Sequence, residues 1–170
     1  MPVPPRFLAV AAAAGLGIVA RLWRGRHATS MEVRALTRRP VGPDGIIIGA
    51  EGFTLHRPHA PAVLLLHGAG DSPSSLRYLA DHLHEAGYSV RAPLLPGHGR
   101  TIREFATVTA DGWYDAARDE LLALRATHEW VAVAGLSMGG ALTARLAADP
   151  AVSDDLPAIV LLAPYLEPPA

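Results

Sequence analysis

The feature that most constrains the fold of this chain is the hexapeptide 135–140, Gly-Leu-Ser-Met-Gly-Gly. An apolar run, Trp130–Ala134, leads into it, and a helix-compatible run of small residues, Ala141–Ala148, follows it. A short apolar run followed by a turn and a helical run predicts a strand, a sharp bend and a helix. Ser137 stands at the apex of that bend.

The spacing of the hexapeptide is that of the G-x-S-x-G nucleophile elbow, in the strand–turn–helix context that the motif requires. A serine in so tight a turn has strained backbone angles, so its neighbours must be small. Gly135 and Gly139 remove side chains that would collide with the flanking strand and helix. A helix that starts at Met138 directs free backbone N–H groups toward the serine hydroxyl. The alternative is a glycine-rich turn that carries a serine by chance.

Composition limits the classes of protein to which the chain can belong. Of its 170 residues, 50% are hydrophobic and 18% are charged, which is typical of a folded domain and not of a disordered chain. The net charge is −1, and the globular part has no basic block, which argues against nucleic-acid binding. The absence of cysteine excludes disulfides and thiolate metal sites. His56 and His59 lack a third ligand nearby, so we predict solvated histidines and neither a metal nor a cofactor.

Residues 1–26 form a separate N-terminal hydrophobic segment. An apolar run from Phe7 to Ala20, extended to Trp23, would make a helix of about 25 Å, somewhat short of a hydrocarbon core of roughly 30 Å. A membrane anchor, a signal peptide and a buried helix are the three interpretations. We favour the anchor, because arginines follow the run where a small-residue cleavage site would stand. Those arginines place the following domain in the cytoplasm; the alternative is secretion.

The remainder reads as a linker, 27–43, and a domain, 44–170, in which strands alternate with helices. That alternation predicts an α/β fold, a parallel sheet flanked by helices on both faces. We expect an edge hairpin near the start of the domain, made of Ile46–Ile48 and Phe53–Leu55. Later strands are predicted at 62–66, 88–90, 130–134 and 158–163, with helices between them.

Three motifs in this order resemble the α/β-hydrolase superfamily. They are His67-Gly68-Ala69-Gly70 at a strand end, Leu95-Pro96-Gly97-His98-Gly99 after the next strand, and the hexapeptide 135–140. Within the superfamily the chain is most similar to the branch that contains carboxylesterases, monoacylglycerol lipases and serine aminopeptidase-like hydrolases. The resemblance covers about residues 45 to 165.

The resemblance implies a role for each matching residue. Ser137 would be the nucleophile that accepts an acyl group from a carboxylic ester, without a cofactor. The backbone N–H groups of Ala69 and Met138 would form the oxyanion hole, which stabilises the developing negative charge. The supporting positions, which shape the elbow, the hole and the neighbouring turn, would be Gly135, Gly139, His67, Gly68 and His98.

The sequence departs from the superfamily pattern after the elbow, where the acid and then the histidine of a triad are expected. The 33 residues that follow Ser137 contain no histidine. Of their four acids, three read as solvated loop acids, Asp149, Asp154 and Asp155, and Glu167 belongs to the tail. We therefore expect a fold that is incomplete at its C-terminus, the N-terminal part of a hydrolase cut by a truncated gene. Two alternatives stay open, a catalytically inactive remnant or binding module and a serine aminopeptidase-like hydrolase.

Overall fold

The computed structural model describes residues 39–166, and its compact unit begins at Val41. The predicted N-terminal segment, 1–26, and most of the predicted linker, 27–43, lie outside the described residues, as do the last four residues. The domain boundaries therefore stay predictions. Within residues 39–166, the helices are all too short or too polar to cross a bilayer.

A five-stranded sheet forms the centre of the domain. Its strands lie side by side in the order β1-β3-β2-β4-β5, and the four from β2 to β5 run parallel while β1 runs antiparallel to β3. Their bounds are β1 Phe53–Leu55, β2 Ala62–Leu66, β3 Ser89–Ala92, β4 Val131–Leu136 and β5 Ile159–Leu162. The mostly parallel sheet confirms the predicted fold class.

Helices connect the parallel strands. Their bounds are α1 Arg77–Glu85, which a 3₁₀ turn at Pro73–Leu76 precedes, α2 Ile102–Phe105, α3 Ala110–Arg125, α4 Met138–Ala148 and α5 Pro150–Ser153. Side-chain caps define three of the starts, including that of α5, where the Asp149 carboxylate accepts the Ala151 N–H. Thr101 and Glu104 form a reciprocal capping box on α2, and the Thr109 hydroxyl accepts a hydrogen bond from the Gly112 N–H on α3.

The core consists of two clusters, one on each face of the sheet. Successive side chains of β2 point to opposite faces, and all five of them are buried. Leu64 and Leu66 join the cluster under α3 and α4, which includes Leu121 and Leu146. On the other face, the β2 residues Val63 and Leu65 pack with Val90, Leu76 and Ala80. Helices therefore cover both faces, as predicted.

The predicted edge hairpin is wrong. Phe53–Leu55 pairs with β3, with Phe53 opposite Ala92, and not with Ile46–Ile48. Ile47 makes only an isolated bridge to Val41. The turn at Asp44 is held locally, because the Asp44 carboxylate accepts the Ile46 N–H at 3.0 Å. The edge of β3 offers β1 a full ladder of backbone partners, which this short turn segment cannot match.

The strand predicted at 158–163 is observed as β5, Ile159–Leu162, at one edge of the sheet. Within residues 39–166 it pairs with β4 alone. Its side chains are unusually exposed for apolar residues, with Ile159, Val160 and Leu161 at 39%, 47% and 37%. Adjacent residues point to opposite faces, so apolar surface is open on both faces of this strand.

Candidate active site

Ser137 lies at the bend between β4 and α4, with φ 52° and ψ −111°. The predicted strand–turn–helix arrangement is present, and the strand continues two residues beyond the predicted end, to Leu136. Such angles cost a non-glycine residue on the order of 1–3 kcal/mol and persist only where the surroundings enforce them. Here the Ser137 N–H donates to Leu162 O at 2.9 Å, and Ser137 O accepts the Tyr165 N–H at 3.1 Å.

Two glycines allow the first turn of α4 to lie directly on the sheet. A Cβ at Gly135 would overlap the Gly139 carbonyl and lie 2.5 Å from Thr143 Oγ1. A Cβ at Gly139 would overlap Leu66 O and lie 2.5 Å from the Leu66 carbonyl carbon. Most of these obstacles are backbone atoms that cannot rotate away. The roles predicted for the two glycines thus match the space available.

The loop that follows β2 lies beside the elbow. β2 and β4 are parallel neighbours with Leu66 opposite Gly135, so the segments after both strands emerge at the same edge of the sheet. A Cβ at Gly68 would lie 3.5 Å from Ser137 Cβ. Met138 is the first residue of α4, where backbone N–H groups have no acceptor within the helix. Ala69 is the first exposed residue after β2.

His67 is fully buried between this loop and the turn after β3. Its Nδ1 lies 3.0 Å from Gly68 O, and its Nε2 accepts the Leu95 N–H at 3.1 Å. Burial lowers the pKa of the imidazole to about 4, a shift that the hydrogen bond to Gly68 O only partly offsets. The ring is therefore neutral near pH 7. Both nitrogens bond to backbone groups, so the geometry favours the loop-shaping role predicted for His67.

His98 packs inside the turn that it belongs to. Its Nδ1 lies 3.2 Å from Pro96 O, while its Nε2 is buried with no hydrogen-bond partner among the described residues. Burial lowers the pKa of this imidazole as well. The His98 ring makes edge-to-face contacts with the rings of His67 and Phe105, with centroid distances of 4.7 Å and 4.9 Å. Aromatic packing and the hydrogen bond to Pro96 O therefore brace this turn together, which fits the supporting position predicted for His98.

One contributor to this turn, Trp113, was not predicted from the sequence. Trp113 occupies a position that helical spacing assigns to the core face of α3, yet its indole Nε1 donates to Pro96 O at 2.9 Å. A buried tryptophan N–H generally requires an acceptor, and that rule was the available signal. The carbonyl of Pro96 thus receives contacts from both Trp113 and His98.

The acids after the elbow lie away from Ser137 along the chain. Asp149 follows the far end of α4, where its carboxylate accepts hydrogen bonds from the Tyr114 hydroxyl and, at 2.9 Å, from the Ala151 N–H. These bonds, the tyrosine first, lower the pKa of the Asp149 carboxyl. Asp149 lies between α4 and α5, in agreement with the predicted loop position, but it also caps α5 and ties it to α3.

The other two acids that the structure describes after Ser137 lie near the N-terminal ends of the parallel strands, whereas Ser137 follows the C-terminal end of β4. Asp154 and Asp155 line a cavity of about 370 Å³ with Arg125 and Trp130, near the N-terminal ends of β4 and β5. A second cavity of about 390 Å³ shares Trp130 with the first and reaches His59. Parallel strands put these cavities a full strand length away from the edge that carries Ser137.

Known proteins are similar to this chain in sequence. The family model described as serine aminopeptidase, S33, matches residues 57–170. A thermostable monoacylglycerol lipase of Bacillus sp. (strain H-257) is 37% identical over 103 residues, covering 60% of this chain and 40% of the lipase. A carboxylesterase of Bacillus subtilis (strain 168) is 35% identical over 86 residues, covering 50% of this chain and 35% of the esterase.

Solved structures share the fold. One from work on the metagenome-derived lipolytic enzymes LipS and LipT superposes with a TM-score of 0.62 at 35% identity, covering 67% of this chain and 45% of that chain. The monoacylglycerol lipase of Paleococcus ferrophilus superposes with a TM-score of 0.59 at 24% identity, covering 68% and 43%. At that identity the second likeness shows the fold alone. The chain spans less than half the length of each of these proteins.

Proposed function

This chain belongs to the serine aminopeptidase S33 family of α/β-hydrolases, as its motifs predicted, and from that premise we propose that it is a serine hydrolase of carboxylic esters with Ser137 as the nucleophile. The supporting observation is the strained Ser137 beside both the Gly68–Ala69 loop and the N-terminus of α4. The names of the two bacterial relatives, a monoacylglycerol lipase and a carboxylesterase, support an ester substrate. The proposal assigns the triad acid and base to residues outside these 170.

In the proposed reaction, Ser137 Oγ attacks the ester carbonyl carbon and loses its proton to the general base. The carbonyl electrons move to oxygen, and the resulting oxyanion accepts hydrogen bonds from the N–H groups of Met138 and Ala69. Loss of one such donor typically lowers the rate about 10²–10³-fold. The intermediate then collapses, the alcohol leaves with the proton, and an acyl group stays on Oγ until water removes it by the same steps.

Hydrolysis of a short p-nitrophenyl ester tests the proposal. Five proteins are compared: this chain and its Ser137→Ala form, the chain extended by the C-terminal half of a related hydrolase, and the extended chain with either Ser137→Ala or Ser153→Ala. The extended Ser153→Ala form is the matched control, since no hydrogen bond involves the Ser153 hydroxyl among the described contacts and the residue lies on α5, away from the elbow. We expect turnover from the extended chain and its Ser153→Ala form only.

Two results would change the interpretation. Turnover by the unextended chain that Ser137→Ala abolishes would mean that an upstream histidine supplies the base. An extended chain that folds but shows no Ser137-dependent turnover would favour the alternative, an inactive remnant or a binding module.

A peptidase function is the second candidate, because the matching family model is described as serine aminopeptidase. The extended chain can be offered an amino-acid p-nitroanilide beside the ester. Ser137-dependent release of p-nitroaniline at a rate comparable with ester hydrolysis would favour the peptidase.

The proposal also includes membrane anchoring through residues 7–23, with the domain on the cytoplasmic side. It rests on the apolar run in the sequence, which lies outside the described residues. Cell fractionation of the full chain and of a form without residues 1–26 tests it. Equal partition of both forms with membranes would contradict the anchor.

A further inference from the structure

The two hydrogen bonds of the buried His67 ring can have only one polarity. Gly68 O is a carbonyl oxygen and can only accept, so Nδ1 carries the proton and donates to it across 3.0 Å. The Leu95 N–H can only donate, so Nε2 carries no proton and accepts across 3.1 Å. The structure thus requires one neutral tautomer, with the proton on Nδ1.

The bond to Gly68 O has a consequence for the next residue. The carbonyl of Gly68 and the N–H of Ala69 belong to the same planar, trans peptide group, in which C=O and N–H point in opposite directions. Whatever holds Gly68 O toward the imidazole therefore holds the Ala69 N–H away from it. Since Gly68 has no side chain, its own backbone torsion does little to restrict rotation of this peptide.

We propose that His67 is a positioning residue that sets the direction of the Ala69 N–H through the Gly68–Ala69 peptide. The Leu95 N–H, in turn, holds the imidazole in the tautomer that can donate to Gly68 O. The peptide lies against the elbow, because a Cβ on Gly68 would be 3.5 Å from Ser137 Cβ. The value of this orientation for catalysis rests on the proposed function, but the orientation itself does not.

The environment of the ring supports a neutral, fixed imidazole. The titratable groups that face it are His98, edge-on at 4.7 Å from the turn after β3, and Asp71, from the loop after β2. The charge of Asp71 favours protonation of the ring, but burial and His98 oppose it and prevail. A second proton could only go to Nε2, where it would displace the Leu95 N–H.

Two amide substitutions separate the two bonds. The amide nitrogen of asparagine takes the place of Nδ1, so His67→Asn keeps a donor for Gly68 O and loses the acceptor for Leu95. The longer His67→Gln places an amide oxygen near the position of Nε2, so it keeps the acceptor for Leu95 and loses the donor for Gly68. Each variant is therefore the control for the other.

NMR spectroscopy of the intact chain provides the readouts. In the wild type, the long-range ¹H–¹⁵N spectrum of His67 should show the Nδ1–H tautomer at pH 7. The N–H residual dipolar coupling of Ala69, which reports bond direction, should be retained in His67→Asn and changed in His67→Gln. Hydrogen exchange at Leu95 should accelerate about five- to tenfold in His67→Asn, the factor expected for one lost hydrogen bond, and stay slow in His67→Gln.

Three results would overturn the inference. They are an Nε2–H tautomer in the wild type, a wild-type dipolar coupling at Ala69 in His67→Gln, and an equal change at Ala69 in both variants, which would indicate a general structural role. The wild-type tautomer needs no variant to fold. None of these measurements involves turnover, so a failure of the ester-hydrolase proposal would be seen separately.

Discussion

Replacing Gly139 by alanine should strongly destabilise the domain, because the added methyl group would meet backbone and not movable side chains. The new Cβ would overlap Leu66 O and lie 2.5 Å from the Leu66 carbonyl carbon and 2.8 Å from His67 O. Carbon atoms in contact prefer about 3.5–4.0 Å, so α4 would have to move roughly 1 Å away from β2.

The size of the effect follows from what that movement disturbs. Leu142 and Leu146 of α4 are buried in the cluster beneath α3 and α4, so lifting the helix loosens a packed core. Over-packing usually costs about 1–3 kcal/mol and occasionally more; because the obstacles here are backbone atoms, we expect about 3 kcal/mol. That is a large part of a typical domain stability of about 5–15 kcal/mol.

Urea denaturation followed by circular dichroism provides the assay. With a slope of about 1–3 kcal/mol per molar urea, the midpoint should fall by roughly 1–3 M. The matched control is Gly112→Ala in α3, whose Cβ would meet only side chains, the nearest being Val108 Cγ1 at 3.3 Å. Helix propensity favours that change by up to about 1 kcal/mol, so its midpoint should hold or rise. Equal midpoints for both variants would refute the seating of α4 on β2.

Three further predictions concern the elbow, the buried histidine and the turn after β3. Ser137→Gly should be more stable than Ser137→Ala by about 1 kcal/mol, since glycine tolerates the positive φ, and it should therefore unfold at a higher urea concentration. Equal midpoints would argue against strain at this position. The pKa of His67 is lowered to about 4 in the folded protein, so between about pH 4 and 6.5 the unfolded chain binds a proton that the folded chain does not. The free energy of unfolding should therefore rise with pH over this range, by roughly 3 kcal/mol at most. Denaturation at several pH values should show a steeper rise for the wild type than for His67→Gln, and parallel curves would contradict this. Trp113→Phe removes the N–H that bonds to Pro96 O, so the turn should lose about 1 kcal/mol of local stability, seen as faster amide exchange at His98; unchanged exchange would show that the bond contributes nothing.

Local patterns predicted the elements whose signal lies within a few residues. The continuous apolar run 62–66 is a fully buried strand, and the glycine spacing around Ser137 specifies a turn that few other residue combinations could form. Pairing between distant segments was less predictable. The hairpin prediction failed because Phe53–Leu55 finds its partner in β3, more than thirty positions along the chain, and two short adjacent runs do not reveal that choice.

Side-chain partners across elements were the other limit. Asp149 reads as a loop acid in the sequence, because no neighbouring residue indicates that the Tyr114 hydroxyl on α3 donates a hydrogen bond to it. His67 likewise reads as part of a loop motif, and its acceptor role toward the Leu95 N–H depends on how β2 and β3 lie side by side. The residue types of the candidate site were readable, while the contacts that orient them depended on the assembled sheet.

The register of β2 against β4 links the packing of the domain to the geometry of the candidate site. Leu66 lies opposite Gly135. The loop that carries Ala69 follows Leu66, and the turn that carries Ser137 follows Leu136, the residue after Gly135. A slip of one residue would displace the loops by about 3.3 Å relative to each other, and it would also turn every β2 side chain to the opposite face. Leu64 and Leu66 would then leave their cluster, and Val63 and Leu65 theirs. A misaligned site would therefore come with two mispacked core clusters, so the packing that stabilises the fold also disfavours misalignment of the two loops.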